Sequence, residues 1–84
     1  MAPWLAAVGA QVAWRSEGRH AERPDSLRWG GEVLPVVVLE RWVEGPLEAG
    51  GAVKRVFVVG DPTGRTLRIT RGEGEVTVEV RHER

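Results

Sequence analysis

Apolar and polar positions alternate along this chain in short runs, and glycine and proline punctuate the runs. A period of two is the mark of a half-buried strand. The C-terminal half shows it best. Residues 53–59 form one predicted strand, and Asp61-Pro62-Thr63-Gly64 follows as a turn. Proline holds φ at about −65° in the second turn position, and glycine accepts φ > 0 at the end. Residues 65–71 make the next strand, Gly72-Glu73-Gly74-Glu75 the next turn, and residues 76–81 the last strand. Four-residue loops at both turns set Val58 opposite Leu67 and Val56 opposite Ile69. They also set Ile69 opposite Val78, Leu67 opposite Val80, Arg68 opposite Glu79 and Thr70 opposite Thr77. The expected core patch is therefore Val56, Val58, Leu67, Ile69, Val78 and Val80, with Phe57 outside it, across from Arg68.

The N-terminal half is less regular. Residues 8–15 alternate, with Val8, Ala10, Val12 and Trp14 on one face. Residues 16–24 are polar and turn-like. Leu27 to Trp29 begins a short strand, Gly30-Gly31 is a hairpin turn, and residues 32–44 form a long strand. Pro35 demands an edge or a bulge there. Val36-Val37-Val38-Leu39 is apolar at successive positions, as in a buried or strongly bent strand. Trp42 shares its parity with Glu40 and Glu44, whereas Arg41 shares its own with Leu39 and Val43. That conflict predicts a bulge and a half-exposed Trp42. Residues 1–7 fit a flexible or helical arm. Five or six short antiparallel strands close most economically as an all-β barrel or curled sheet, SH3-like or OB-like, in one domain over residues 1–84.

Composition narrows the function. A chain of 84 residues buries only about 60–65% of the surface its unfolded form exposes. Most apolar side chains must therefore serve the core, which leaves little for a deep catalytic pocket. There is no cysteine, so neither disulfide nor thiolate metal site exists, and a reducing, cytoplasmic setting is expected. The apolar start lacks a basic segment and is too short to cross a bilayer, so no membrane partner is expected. Twelve basic residues balance twelve acidic ones. Lys54 is the only lysine, glutamate far outnumbers aspartate, and asparagine is absent. This arginine- and glutamate-rich, amide-poor composition is thermophile-like.

No catalytic constellation stands out. Ser16 and Ser26 lie in turn-like stretches without an adjacent base. His20 and Asp25 share one polar loop, and His82 sits near the end of the chain. No metal-ligand spacing recurs. The glycine-rich turns precede strands, whereas a phosphate loop needs a helix N-terminus behind it. A non-enzymatic module without cofactor or metal is expected.

The tryptophans are the most informative residues. Trp14, Trp29 and Trp42 each adjoin an arginine: Arg15, Arg28 and Arg41. Rings interleaved with guanidinium groups suit a single-stranded nucleic-acid platform, and they suit a protein interface equally. For Trp14 and Trp29 a core role is expected. The candidate binding residues are Trp42, Arg55, Phe57 and Arg68, on the outer side of the 53–71 hairpin. A protein partner, or a second copy of the chain, is the favoured partner; single-stranded nucleic acid is the alternative.

The stretch Leu27-Arg28-Trp29-Gly30-Gly31-Glu32, followed by Val37-Val38-Leu39-Glu40-Arg41-Trp42, resembles an uncharacterised family of short bacterial all-β domains. Those domains have a Trp-bearing glycine hairpin leading into a Val-Leu-Asp/Glu-Arg-Trp strand, and a later strand similar to Arg55-Val56-Phe57. The likeness spans roughly residues 8–82. Some members are encoded beside genes for translesion DNA polymerases, so the resemblance implies a compact β domain in a DNA-repair setting. The chain departs from the family at its closing hairpin, Gly74-Glu75-Val76-Thr77, which lacks the aromatic residues.

Overall fold

A computed structural model describes residues 3–18, 21–45 and 53–81. His20, His82 and the Gly45-Pro46 to Gly50-Gly51 loop, apart from Gly45 itself, lie outside the described residues. Eight strands form: β1 (Trp4–Ala6), β2 (Gln11–Ser16), β3 (Glu22–Trp29), β4 (Glu32–Pro35), β5 (Val37–Glu44), β6 (Lys54–Gly60), β7 (Thr66–Gly72) and β8 (Glu75–Arg81). They make two antiparallel sheets, β1-β8-β7-β6-β5 and β2-β3-β4. The all-β, curled antiparallel class expected from the alternation is present.

The strand count exceeds the expected five or six for two reasons. Trp4–Ala6 pairs with β8 in place of the flexible or helical arm, with Leu5 opposite Val80. The long strand expected over 32–44 is two strands in different sheets. The chain crosses between them at Val36, which is buried and donates its amide to the carbonyl of Asp25 (3.0 Å). Pro35 ends β4, an edge strand, where a missing donor is tolerated. The predicted bulge in β5 is also present: Val38 pairs with Val59 but Glu40 pairs with Val58, leaving Leu39 extra. At Gly30-Gly31, φ values of 63° and 82° close the two-residue hairpin between Trp29 and Glu32.

The β7–β8 register is the one the alternation predicts, with Leu67 opposite Val80, Arg68 opposite Glu79, Ile69 opposite Val78 and Thr70 opposite Thr77. The β6–β7 register is one residue away from expectation. Val59 faces Leu67, Val58 faces Arg68 and Phe57 faces Ile69. The cause is Asp61. Its carboxylate accepts hydrogen bonds from the Thr63 amide (2.9 Å), the Thr63 hydroxyl (2.7 Å) and the Arg65 amide (3.0 Å). This draws Arg65 into the loop, and its carbonyl accepts the Asp61 amide (3.1 Å). An odd loop, residues 61–65, flips the side-chain parity of β6 relative to a four-residue loop. Gly64 has the predicted positive φ, 92°.

The core is corrected accordingly. Phe57, Val59, Leu67, Ile69 and Val78 pack with Ala7, Leu27 and Val36 between the sheets, and Val80 packs against them. Val56 and Val58 instead take the outer-face parity of the five-stranded sheet, beside Arg68 and Thr70 and outside the inter-sheet cluster, although Val56 is itself buried there (2% exposed). Trp14 and Trp29 pack against the core, as expected. Each large apolar side chain enclosed here contributes roughly 1.5–3 kcal/mol.

Candidate interaction surface

The five-stranded sheet has an inner face on the core and an outer face without a covering layer among the described residues. The register sorts the four candidate binding residues between them. Trp42 pairs with Val56 on the outer face, where Arg68 also lies, opposite Val58. Phe57 is on the inner face, opposite Ile69 and Arg41. Arg55 shares that inner parity, opposite Arg71 and Val43 at the open end of the sandwich. The four therefore do not form one surface on the outside of the 53–71 hairpin.

Phe57 is the firmest correction. It is 3% exposed, and its own chain encloses it. The Trp14 ring meets it edge-on at 5.7 Å and the Arg41 guanidinium lies 5.8 Å from its centroid. Trp14 of β2 and Arg41 of β5 cover its ring. The cation–π contact comes from Arg41 and not from Arg68, the residue expected across from Phe57, because the loop at 61–65 places Phe57 on the other face.

Arginine and the other aromatic rings also meet, by pairings that adjacency in sequence does not announce. Arg71 lies 4.4 Å from the Trp14 ring, Arg65 5.1 Å from Trp29, and Arg68 4.8 Å from Trp4. Each of these arginines is also held by a carboxylate: Arg71 by Glu22, Arg65 by Asp61 (2.8 Å) and Arg68 by Glu79 (2.7 Å). Arg41 makes a two-pronged contact with Glu17, at 2.7 and 3.3 Å. Glu17 and Asp25 further link Arg23 and Arg15 into a chain of ion pairs that ties the β2–β3 hairpin to β5. The hydrogen bond from Arg41 is the main cause that holds the Glu17 carboxyl below the usual carboxylate range; burial opposes it, and the charges of Arg41 and Arg23 add to it. These rings and guanidinium groups are thus committed to one another within the chain.

Trp42 differs. It is 40% exposed, and its indole N–H donates to Glu44 at 3.1 Å. It sits on β5, which with β1 is one of the two terminal strands of its sheet. Val37 (67% exposed), Leu39 (58%) and Val43 (62%) lie on the same strand. The run 36–39 was expected to be buried or strongly bent. It is bent, at Val36 and at Leu39, but its side chains reach solvent at Val37 and Leu39. A shallow recess of about 120 Å³ beside this edge is lined by Arg41, Trp42, Val43, Arg55 and Phe57, so Arg55 flanks Trp42 even though its parity differs.

No three His, Asp or Glu side chains among the described residues cluster as a metal site. No helix among them is long and apolar enough to cross a membrane. Comparison with family models, with curated proteins and with solved structures finds no match to this chain.

Proposed function

We propose that this protein is a non-enzymatic interaction module that binds an extended protein strand along the open edge of β5. One observation carries the reading: among the described residues, an eight-residue terminal strand has a hydrogen-bonded neighbour on one side only and exposes Val37, Leu39, Trp42 and Val43. Such an edge is a template for strand addition, with main-chain hydrogen bonds supplying affinity and alternate side chains supplying specificity. The bulge at Leu39 blunts the first part of the edge, so pairing is expected over Glu40–Glu44, with Trp42 as the anchor. The absence of cysteine supports a cytoplasmic setting.

Single-stranded nucleic acid is the weaker reading. Base stacking needs free ring faces, and Trp4, Trp14, Trp29 and Phe57 each carry an arginine of the same chain. The experiment is selection of extended peptides from a displayed random library, followed by binding to wild type and to Val43→Pro. Proline on an edge strand removes a donor without disturbing the neighbouring ladder. Loss of peptide binding at an unchanged melting temperature supports the edge. Equal binding by both proteins, or salt-sensitive oligonucleotide binding instead, rejects it.

A further inference from the structure

The direction of each main-chain group on β5 follows from the hairpin next to it. Asp61 donates to the Arg65 carbonyl, so these two residues form a hydrogen-bonded pair. Antiparallel ladders alternate hydrogen-bonded and non-hydrogen-bonded pairs. Counting back through the observed register, Arg55, Phe57 and Val59 direct their N–H and C=O toward β7, and Lys54, Val56 and Val58 direct theirs toward β5. Their partners Glu44, Trp42 and Glu40 therefore point inward, to β6. Arg41 and Val43 are left with N–H and C=O directed out of the open edge. The same alternation carried across β7 and β8 turns Val78 toward β1, where its carbonyl does accept the Ala7 amide at 2.9 Å.

From Glu40 to Glu44 the strand is regular, and Trp42 is its midpoint. We propose that the strand captured by this edge is β5 of a second copy, antiparallel, with the two-fold axis passing between the two Trp42 residues. This inference rests on the edge-pairing reading above. In this register Arg41 of one copy and Val43 of the other exchange both main-chain hydrogen bonds, and the converse pair does the same. The two Trp42 side chains become a non-hydrogen-bonded pair on the outer face, the closer kind, with Cα atoms about 4.5 Å apart. Because Val56 is the cross-strand neighbour of Trp42, an apolar row Val56–Trp42–Trp42–Val56 then runs unbroken across the junction. A shift of two residues in one direction sets Arg41 against Arg41 and draws the bulge into the pairing. A shift in the other direction leaves only three regular residues to pair. Self-complementarity of this kind is what a two-fold interface requires.

The register has one unfavourable feature, and it makes the proposal sharp. Glu40 of each copy stands opposite Glu44 of the other, on the outer face, with Lys54 the next residue in that row. Like charges directly opposite are destabilising. Association is therefore expected to strengthen as salt rises, the reverse of a nucleic-acid complex. Glu40→Lys, which turns both repulsive pairs into attractive ones, is expected to tighten the dimer several-fold in sedimentation equilibrium.

The register is read directly by cross-linking, since the chain has no cysteine of its own. Positions 40 and 44 of opposite copies fall at about 4.5 Å between Cα atoms, within disulfide reach. The two positions 40, like the two positions 44, stand about 13 Å apart along the strand, beyond it. Glu40→Cys mixed with Glu44→Cys and oxidised should give covalent heterodimer in large excess over either homodimer; both sites are exposed and leave the core untouched. A statistical mixture of homodimers and heterodimers, or no cross-link at concentrations up to the millimolar range, overturns the proposal. If cross-linking fails while displayed peptides still bind wild type and not Val43→Pro, the second copy is rejected and the edge reading stands. If both experiments fail, both are rejected.

Discussion

Replacing Asp61 by Ala tests the origin of the β6–β7 register. The Asp61 side chain is fully enclosed by its own turn and accepts four hydrogen bonds. Two come from Thr63, which is exposed, so water replaces the lost acceptor there at little cost. The other two come from the part-buried Arg65, through its amide (3.0 Å) and its Nε (2.8 Å). A hydrogen bond to a charged group is worth about 1.5–3 kcal/mol. The Arg65 guanidinium is 37% exposed, so its ion pair is discounted for screening. Counting the amide in full and the rest lightly, Asp61→Ala should cost about 2–3 kcal/mol. With a urea m value of about 1 kcal/mol/M for a small domain, the denaturation midpoint should fall by about 2–3 M. Acidity supplies a second readout. Burial pushes the Asp61 carboxyl up, but hydrogen bonds from the Thr63 hydroxyl, the Arg65 guanidinium and the two amides outweigh it and hold it below the usual carboxylate range. A carboxyl lowered on folding stabilises the protein above its unfolded value of about 3.9 and loses that contribution as pH falls through the folded value. Asp61→Asn should therefore differ from wild type at neutral pH and converge on it in strong acid. A midpoint shift for Asp61→Ala below about 0.5 M, or a gap between Asp61→Asn and wild type that does not shrink in acid, would refute the reasoning.

Gly64→Val should lower stability by roughly 1 kcal/mol or more through its backbone alone, because φ is 92° and no atom lies within 4 Å of the added Cβ; thermal melting reads it. Phe57→Ala should cost about 3–5 kcal/mol, as expected for a buried ring against Trp14 and Ile69, and denaturant titration distinguishes this from the near-neutral effect of an exposed aromatic. Trp42→Ala should leave stability within about 1 kcal/mol of wild type, since the ring is 40% exposed, yet abolish strand pairing in the peptide and sedimentation assays.

The local pattern carried much of this fold. Alternation and turn chemistry were enough to determine β7 and β8 to within a residue at their ends, their mutual register, the positive φ of Gly64 and the Gly30-Gly31 hairpin, because each depends on a few adjacent residues. The parity conflict around Trp42 pointed to a bulge in this strand, but the bulge falls at Leu39 and leaves Trp42 on the face of Glu40 and Glu44. Tertiary structure decided what one residue of loop length controls. With Asp61 holding Arg65 inside the turn, Phe57 and Val59 faced the core and Val56 and Val58 left it. A period of two cannot resolve that choice in a run as uniformly apolar as Val56-Phe57-Val58-Val59. The arginine–aromatic pairs were equally hidden, since Arg68 meets Trp4 and Arg71 meets Trp14 only after the strands assemble. The open edge of β5 belongs to the same class. Sequence marks Val37 to Val43 as a strand, but strand order alone makes it the last in its sheet, and only the last strand keeps unpaired main-chain groups to offer.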